Sequence, residues 1–168
     1  MEYWDVYDAD CRPLGKTHLR GTPMPPGEYH LIVFVWVINA AGQLLLTKRS
    51  PEKQPYPNMW ENTGGSAIAG ESSRQAIRRE LLEETGIAAE EAEFEFLAAK
   101  VGRTWISDTY LLRRDVPLSA LRLQAGETCD ARWVTRAEFD ALIAQGVVAQ
   151  PDVERLSLIR EHLNGIFR

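Results

Sequence analysis

Three glutamates close together in the chain, Glu80, Glu83 and Glu84, are the residues whose type and spacing most directly suggest chemistry. On a helix advancing about 100° per residue, Glu84 stands about 40° from Glu80 and Glu83 about 60° from it on the other side, so the carboxylates share one face. Left alone they repel, and like charges at i,i+4 cost roughly 0.2–0.5 kcal/mol unless a cation compensates. A hard divalent cation such as Mg²⁺ suits such a face, because it takes oxygen ligands and leaves other positions to water and substrate phosphates. The plain alternative for an E-x-x-E-E pattern is a solvated acidic face.

The flanking residues weigh against that alternative. Gly64-Gly65 permits backbone conformations closed to other residues, so a main-chain carbonyl can turn toward a cation held by the helix. Gly70 lets the chain bend sharply into the helix start. Arg79 is a rigid fork suited to holding a neighbouring carboxylate such as Glu71.

The glutamates need a helix, and the sequence supplies its ends. Ser72 and Gln75 form a capping box and Gly86 suits the C-terminal cap, which predicts a helix over 73–85 with Ala76, Ile77, Leu81 and Leu82 as its buried stripe. Before it, residues 3–7 and 14–20 read as a hairpin around a polar turn, broken off by the prolines of Thr22–Gly27. Tyr29–Asn39 and Leu44–Leu46 read as a second, central hairpin. Ser50–Asn58, with three prolines, reads as an exposed loop leading to a short strand at 60–63. After the helix come strands at 93–100 and 104–113, a short helix capped by Thr135 and Glu138, and a terminal helix over 152–167. Strands first and helices later suggest an α+β fold, a mixed sheet packed between helices.

With 168 residues, 45% of them hydrophobic, the chain reads as one domain spanning 1–168, with 1–28 as an N-terminal hairpin extension and 150–168 as a C-terminal helix. A core of this size needs no metal or disulfide to hold it, so a bound metal is expected to do chemistry. Net charge −5 argues against a partner made of nucleic-acid polymer. The longest apolar stretch, 31–38, falls far short of the roughly 20 residues that span a bilayer. The N-terminus has neither the basic start nor the apolar run of a signal peptide, and Cys11 and Cys129 lie far apart, so a cytoplasmic protein with two structural cysteines is expected. A small-molecule partner fits this profile, and a homodimer is as open as a monomer.

From Gly65 through Ile87 the chain matches the Nudix box, the signature of the Nudix hydrolases, at every specified position. That resemblance implies the Nudix fold, cation ligation by Glu80, Glu83 and Glu84 with a carbonyl at Gly64 or Gly65, and Mg²⁺ or Mn²⁺ as cofactor. It assigns Arg79 and Glu71 to orienting the cluster. The expected reaction is hydrolysis of a diphosphate linkage in a nucleoside-diphosphate-type substrate, with water attacking phosphorus. Glu80, Glu83 and Glu84 are candidates for the base, and Glu127, outside the box, is another.

Trp4–Asp8, Gly27–Leu31, Lys48–Pro51 and Pro57–Trp60 resemble the Nudix branch that includes isopentenyl-diphosphate isomerase and its hydrolase relatives, over roughly residues 3–145. That isomerase needs a cysteine and a histidine in the segment leading into its box. Here the segment reads Asn62-Thr63-Gly64-Gly65-Ser66, which favours hydrolysis. A Nudix nucleotide sensor without turnover is a further alternative, disfavoured because such proteins lose box glutamates. The resemblance points to His30 as a contact for cation or phosphate. Lys48, Arg49 and Lys53 flank the loop before the box and suit phosphate, Arg49 best. Trp36 and Trp60 read as sheet packing, and Trp105 as a candidate to stack on a base.

Overall fold

A computed structural model describes all 168 residues. The chain opens with the expected hairpin, β1 (Tyr3–Tyr7) and β2 (Pro13–Leu19), which forms a two-stranded sheet of its own. Backbone hydrogen bonds exchanged between Tyr7 and Tyr29, at 2.8 and 3.0 Å, dock this hairpin beside the main sheet.

The main sheet is built around β3 (His30–Ile38), followed by β4 (Leu44–Arg49), β5 (Trp60–Glu61) and β6 (Gly64–Ser66). Beyond helix α1 (Ser73–Thr85) come β7 (Glu95–Val101), β8 (Trp105–Arg113), β9 (Thr128–Val134), and helices α2 (Arg136–Ala144) and α3 (Gln150–Leu163). The strand order is β5-β4-β3-β8-β7, with β6 paired to β3 and β9 to β4. β8 runs parallel to β3 along its whole length, from His30 opposite Trp105 to Ile38 opposite Arg113, and the other strand pairs are antiparallel.

β3 alternates with the two-residue period of a strand buried on both faces. Leu31, Val33, Val35 and Val37 pack with Ala76, Ile77 and Leu81 of α1, while Trp36 and Ile38 pack with Phe139 of α2 and Ile159 and Leu163 of α3. The sheet is thus held between helices, as the α+β reading expects. Trp36 and Trp60 are core residues of the second face.

Several details correct the sequence reading. The turn after Ile38 exists, but β3 and β4 pair only at Ile38 and Leu44. β8 fills one edge of β3, and β6 takes the rest of the other edge by pairing Ile32, Val33 and Phe34 with Ser66, Gly65 and Gly64. β4 therefore diverges and pairs with β9 and β5. The terminal helix starts earlier and ends at Leu163, just before Gly165 with its φ of 77°. Leu82 is 50% exposed, because α1 is rotated so that Glu84, not Leu82, lies along the buried edge beside Ile77 and Leu81. Both cysteines are exposed and free, so neither belongs to the core. No helix is long and apolar enough to cross a membrane.

Candidate active site

The glutamates are positioned by the ends of α1. The Ser72 side chain accepts from the Gln75 N–H at 3.2 Å, the Gln75 side chain accepts from the Ser72 N–H at 2.9 Å, and Gly86 closes the helix in the left-handed conformation. Ile77 and Leu81 are fully buried against β3, a contribution of roughly 1.5–3 kcal/mol each, and this fixes the helix's rotation. Glu80 consequently lies against β6 and Glu84 lines the same cleft, while the Glu83 side chain stays 48% exposed.

β6 can come this close only because it is glycine. A Cβ on Gly65 would lie 2.3 Å from the Glu80 carboxylate carbon, and one on Gly64 would lie 2.3 Å from the Phe34 ring and the Val33 carbonyl oxygen. The Gly-Gly pair therefore serves a close approach of the Glu80 carboxylate to the backbone.

Arg79 organises the acidic residues around it. Its Nε and Nη2 donate to the two oxygens of Glu71 at 2.7 and 2.9 Å, and its Nη1 donates to Glu80 at 2.9 Å and Glu83 at 3.2 Å. Nη2 also reaches the Ser66 carbonyl oxygen at 3.1 Å, tying the helix to β6. The hydrogen bonds to Glu71 come first in raising the Arg79 pKa, so it stays a permanent cation. Burial would raise Glu71, but the Arg79 hydrogen bonds and the Ile68 N–H outweigh it and hold this carboxyl below its ordinary value.

The residues meet in a polar cleft of about 170 Å³ whose twelve lining residues include no hydrophobic one. Gly64, Gly65, Ser66, Arg79, Glu80, Glu83 and Glu84 all line it, with Lys53, Gln124 and Glu127 from two loops and Glu2 and Arg20 from the N-terminal hairpin. Lys53 lies between two carboxylates, in contact with Glu127 and 3.8 Å from Glu84. Burial pushes Glu80 upward against the pull of Arg79. Burial, then the like charge of Glu61, pushes Glu84 up to about 8. One oxygen of Glu84, Oε2, is buried without a hydrogen-bond partner. The acidic side chains do not close into a ready-made cage of three metal-ligating groups. Arg79 and Lys53 stand among them as internal counter-charges.

Of the residues expected at the site, Arg79, Glu80, Glu83, Glu84, Gly65 and Glu127 are brought together, and Lys53 joins them. The three favoured substrate contacts, His30, Lys48 and Arg49, line none of this cleft. Arg49 is buried, with its Nη1 donating to both oxygens of Glu61 at 2.8 and 3.0 Å and its Nε to the Pro55 carbonyl oxygen, so structural partners hold its guanidinium. Lys48 stands 5.7 Å from the Trp60 ring centroid. His30 is sandwiched by its environment: its ring stacks on Trp4 at 3.9 Å and its Nδ1 bonds to the Thr104 carbonyl oxygen. Burial lowers its pKa. Trp105 packs tightly over Gly102, below Lys100, away from the cleft. Glu2, Arg20 and Gln124 were not singled out by sequence. Nothing in their local spacing marks them, since only the docking of distant segments brings them to α1.

Residues 28–155 match the model of the NUDIX domain. A Nudix hydrolase of Listeria monocytogenes, lmo0368, is 40% identical over 147 residues, 87% of either chain. An isopentenyl-diphosphate Delta-isomerase of Shigella dysenteriae is 28% identical over 156 residues, covering 89% of this chain and 84% of its own. Among solved structures, the Deinococcus radiodurans protein DR0079 superposes with a TM-score of 0.77 at 25% identity, covering 99% of this chain and all of its own.

Proposed function

The chain belongs to the Nudix domain family, and from that premise we propose that it is a divalent-cation-dependent pyrophosphohydrolase. Its substrate would be a small nucleoside diphosphate linked to a further group, cleaved at the diphosphate by water. The observation that carries the reading is the Glu84 oxygen, buried without a donor in a wholly polar cleft beside Glu80. A buried carboxylate oxygen with no partner is costly, and a cation satisfies it.

Glu80, Glu83, Glu84 and the Gly65 carbonyl are the groups that would hold Mg²⁺ or Mn²⁺, since hard cations take oxygen donors of this kind. Bound there, such a cation would neutralise diphosphate oxygens and lower the pKa of the attacking water. The chain's own residues do the rest. Arg79 fixes Glu80 and Glu83 relative to Glu71, so that the carboxylates are set before the substrate arrives. Lys53 offsets negative charge between Glu84 and Glu127. A carboxylate must take the proton of the attacking water, and Glu127 joins the box glutamates as a candidate because it reaches the same cleft. The cleft has no apolar wall for a prenyl chain, and neither Cys11 nor Cys129 lines it, which disfavours isomerisation of an allylic diphosphate.

The experiment is a screen of nucleoside diphosphate derivatives in ¹⁸O-labelled water, with product identification and a chelated control. Label on a phosphorus-containing product, lost on chelation, is the expected outcome. Turnover that survives exhaustive chelation, or efficient isomerisation of isopentenyl diphosphate without labelled phosphate, would overturn the reading.

A further inference from the structure

The N-terminal hairpin lies outside the matched domain, which begins at residue 28, yet it supplies two residues, Glu2 and Arg20, to the cleft. Their placement is built in. The Ala69 N–H donates to the Tyr3 carbonyl oxygen at 2.8 Å and the Gly70 N–H to Asp5 Oδ2 at 2.7 Å, which ties β1 to the turn that starts α1. The Arg20 N–H donates to the Glu2 carbonyl oxygen at 3.0 Å, so the end of β2 is held against β1 at the same place.

The cations of the cleft differ in what they have left to offer. Arg79 has all three of its nitrogens engaged by Glu71, Glu80, Glu83 and the Ser66 carbonyl. Lys53 is shared between Glu127 and Glu84. Arg20 has one side-chain partner, Glu2, and both side chains of that pair are more than half exposed. Exposed ion pairs are weak, because water solvates both charges well and side-chain entropy opposes the pairing. Arg20 can therefore exchange its carboxylate for another anion at little cost. A guanidinium fork fits phosphate as it fits carboxylate.

We propose that Arg20 is a substrate-binding residue. It takes a non-bridging phosphate oxygen of the diphosphate, and Glu2 is a placeholder that holds the fork in position until the substrate displaces it. This rests on the pyrophosphohydrolase reading and adds to it that the hairpin preceding the domain is part of the substrate site. The hairpin contributes charge that the glutamate cluster itself lacks.

The test compares wild type with Arg20→Ala, Arg20→Lys and Glu2→Gln, using the best substrate from the screen and, as a probe independent of turnover, calorimetric binding of imidodiphosphate in Mg²⁺. Loss of a charge-assisted phosphate contact should raise KM and weaken imidodiphosphate binding by about ten- to a hundredfold in Arg20→Ala, with kcat within about threefold of wild type. Arg20→Lys should recover part of the binding. Glu2→Gln should lower KM, since it removes the competing carboxylate. Thermal midpoints should be level across the set, because both side chains are exposed. Unchanged binding and KM in Arg20→Ala, or a higher KM in Glu2→Gln, would overturn the proposal. Failure of the functional reading looks different: wild type itself would neither turn over any nucleoside diphosphate derivative nor bind imidodiphosphate.

Discussion

A carboxylate with one oxygen buried and undonated, as Glu84 has, costs the fold stability that a cation can return. The group's folded pKa, about 8, lies above its ordinary 4.5. Between these values the folded chain keeps a proton that the unfolded chain has lost, so stability contributed by this group falls as pH rises through that window and is level above it. Glu80, also raised by burial, acts in the same direction, while His30, lowered by burial, opposes it. The clean readout is a difference. In the presence of a chelator, the thermal midpoint of wild type should drop relative to that of Glu84→Gln on going from about pH 5.5 to about pH 8. Mg²⁺ should raise the wild-type midpoint more at the higher pH. Equal pH profiles for the two proteins would show that Glu84 does not carry this penalty. In turnover, Glu84→Gln should lose at least about 100-fold, since it removes charge stabilisation felt mainly in the transition state. Activity within a few-fold of wild type would remove Glu84 from the ligand set.

Elements act here by fixing where those residues stand. Strand β6 presents only backbone at Gly65 to the Glu80 carboxylate of α1, and Gly65→Ala would drive a Cβ to 2.3 Å from the Glu80 carboxylate carbon. Glu80 must then leave Arg79 and β6. Steady-state kinetics should show kcat reduced by about tenfold or more, the order of loss that follows displacement of a charged group at a reacting centre. Urea unfolding should show only a small change. The N-cap tests the helix itself: Ser72→Ala removes the acceptor for the Gln75 N–H and should cost about 1 kcal/mol, or roughly 2–4 °C in thermal midpoint for a chain of this size. No shift in calorimetry would mean that packing alone sets the register of α1.

At the scale of the whole molecule, α3 closes one face of the sheet and also reaches the strand that leads into the site. Asp152 and Arg155 are buried, paired at 3.2 Å, and Asp152 accepts from the Asn62 side chain at 3.1 Å, two residues before Gly64. The Arg155 guanidinium lies 3.2 Å from the Phe34 ring centroid, the same ring that Gly64 packs against. The C-terminal helix therefore braces β6 through buried charge. Arg155→Met leaves Asp152 buried without its counter-charge, and urea denaturation should show a loss of about 3–5 kcal/mol. A loss below about 1 kcal/mol would mean that water reaches Asp152 once Arg155 is gone.

Features that local rules govern could be read before any fold was known. α1 has its predicted bounds because the Ser72–Gln75 box and Gly86 act within a few residues, and the shared face of Glu80, Glu83 and Glu84 follows from helical geometry alone. The Arg79–Glu71 pair was legible for the same reason, eight residues apart across one turn and one helix. β3 was legible because it is a run rich in Val, Ile and aromatic residues, the composition of a strand. Tertiary structure decided everything that depends on meeting across the chain. β6 is Gly64-Gly65-Ser66, with no strand propensity, and is a strand only because β3 offers it an edge. β9 carries a half-exposed, charged pattern without alternation and owes its existence to β4. Arg49 looked like the cation for phosphate, yet burial beside Glu61 claimed it. Arg20, 60 positions before Glu80 and silent in the sequence, reached the cleft because main-chain hydrogen bonds dock its hairpin at the start of α1. Local spacing encodes which carboxylates gather, whereas the cations that face them are chosen by long-range packing, whose partners no window of sequence contains.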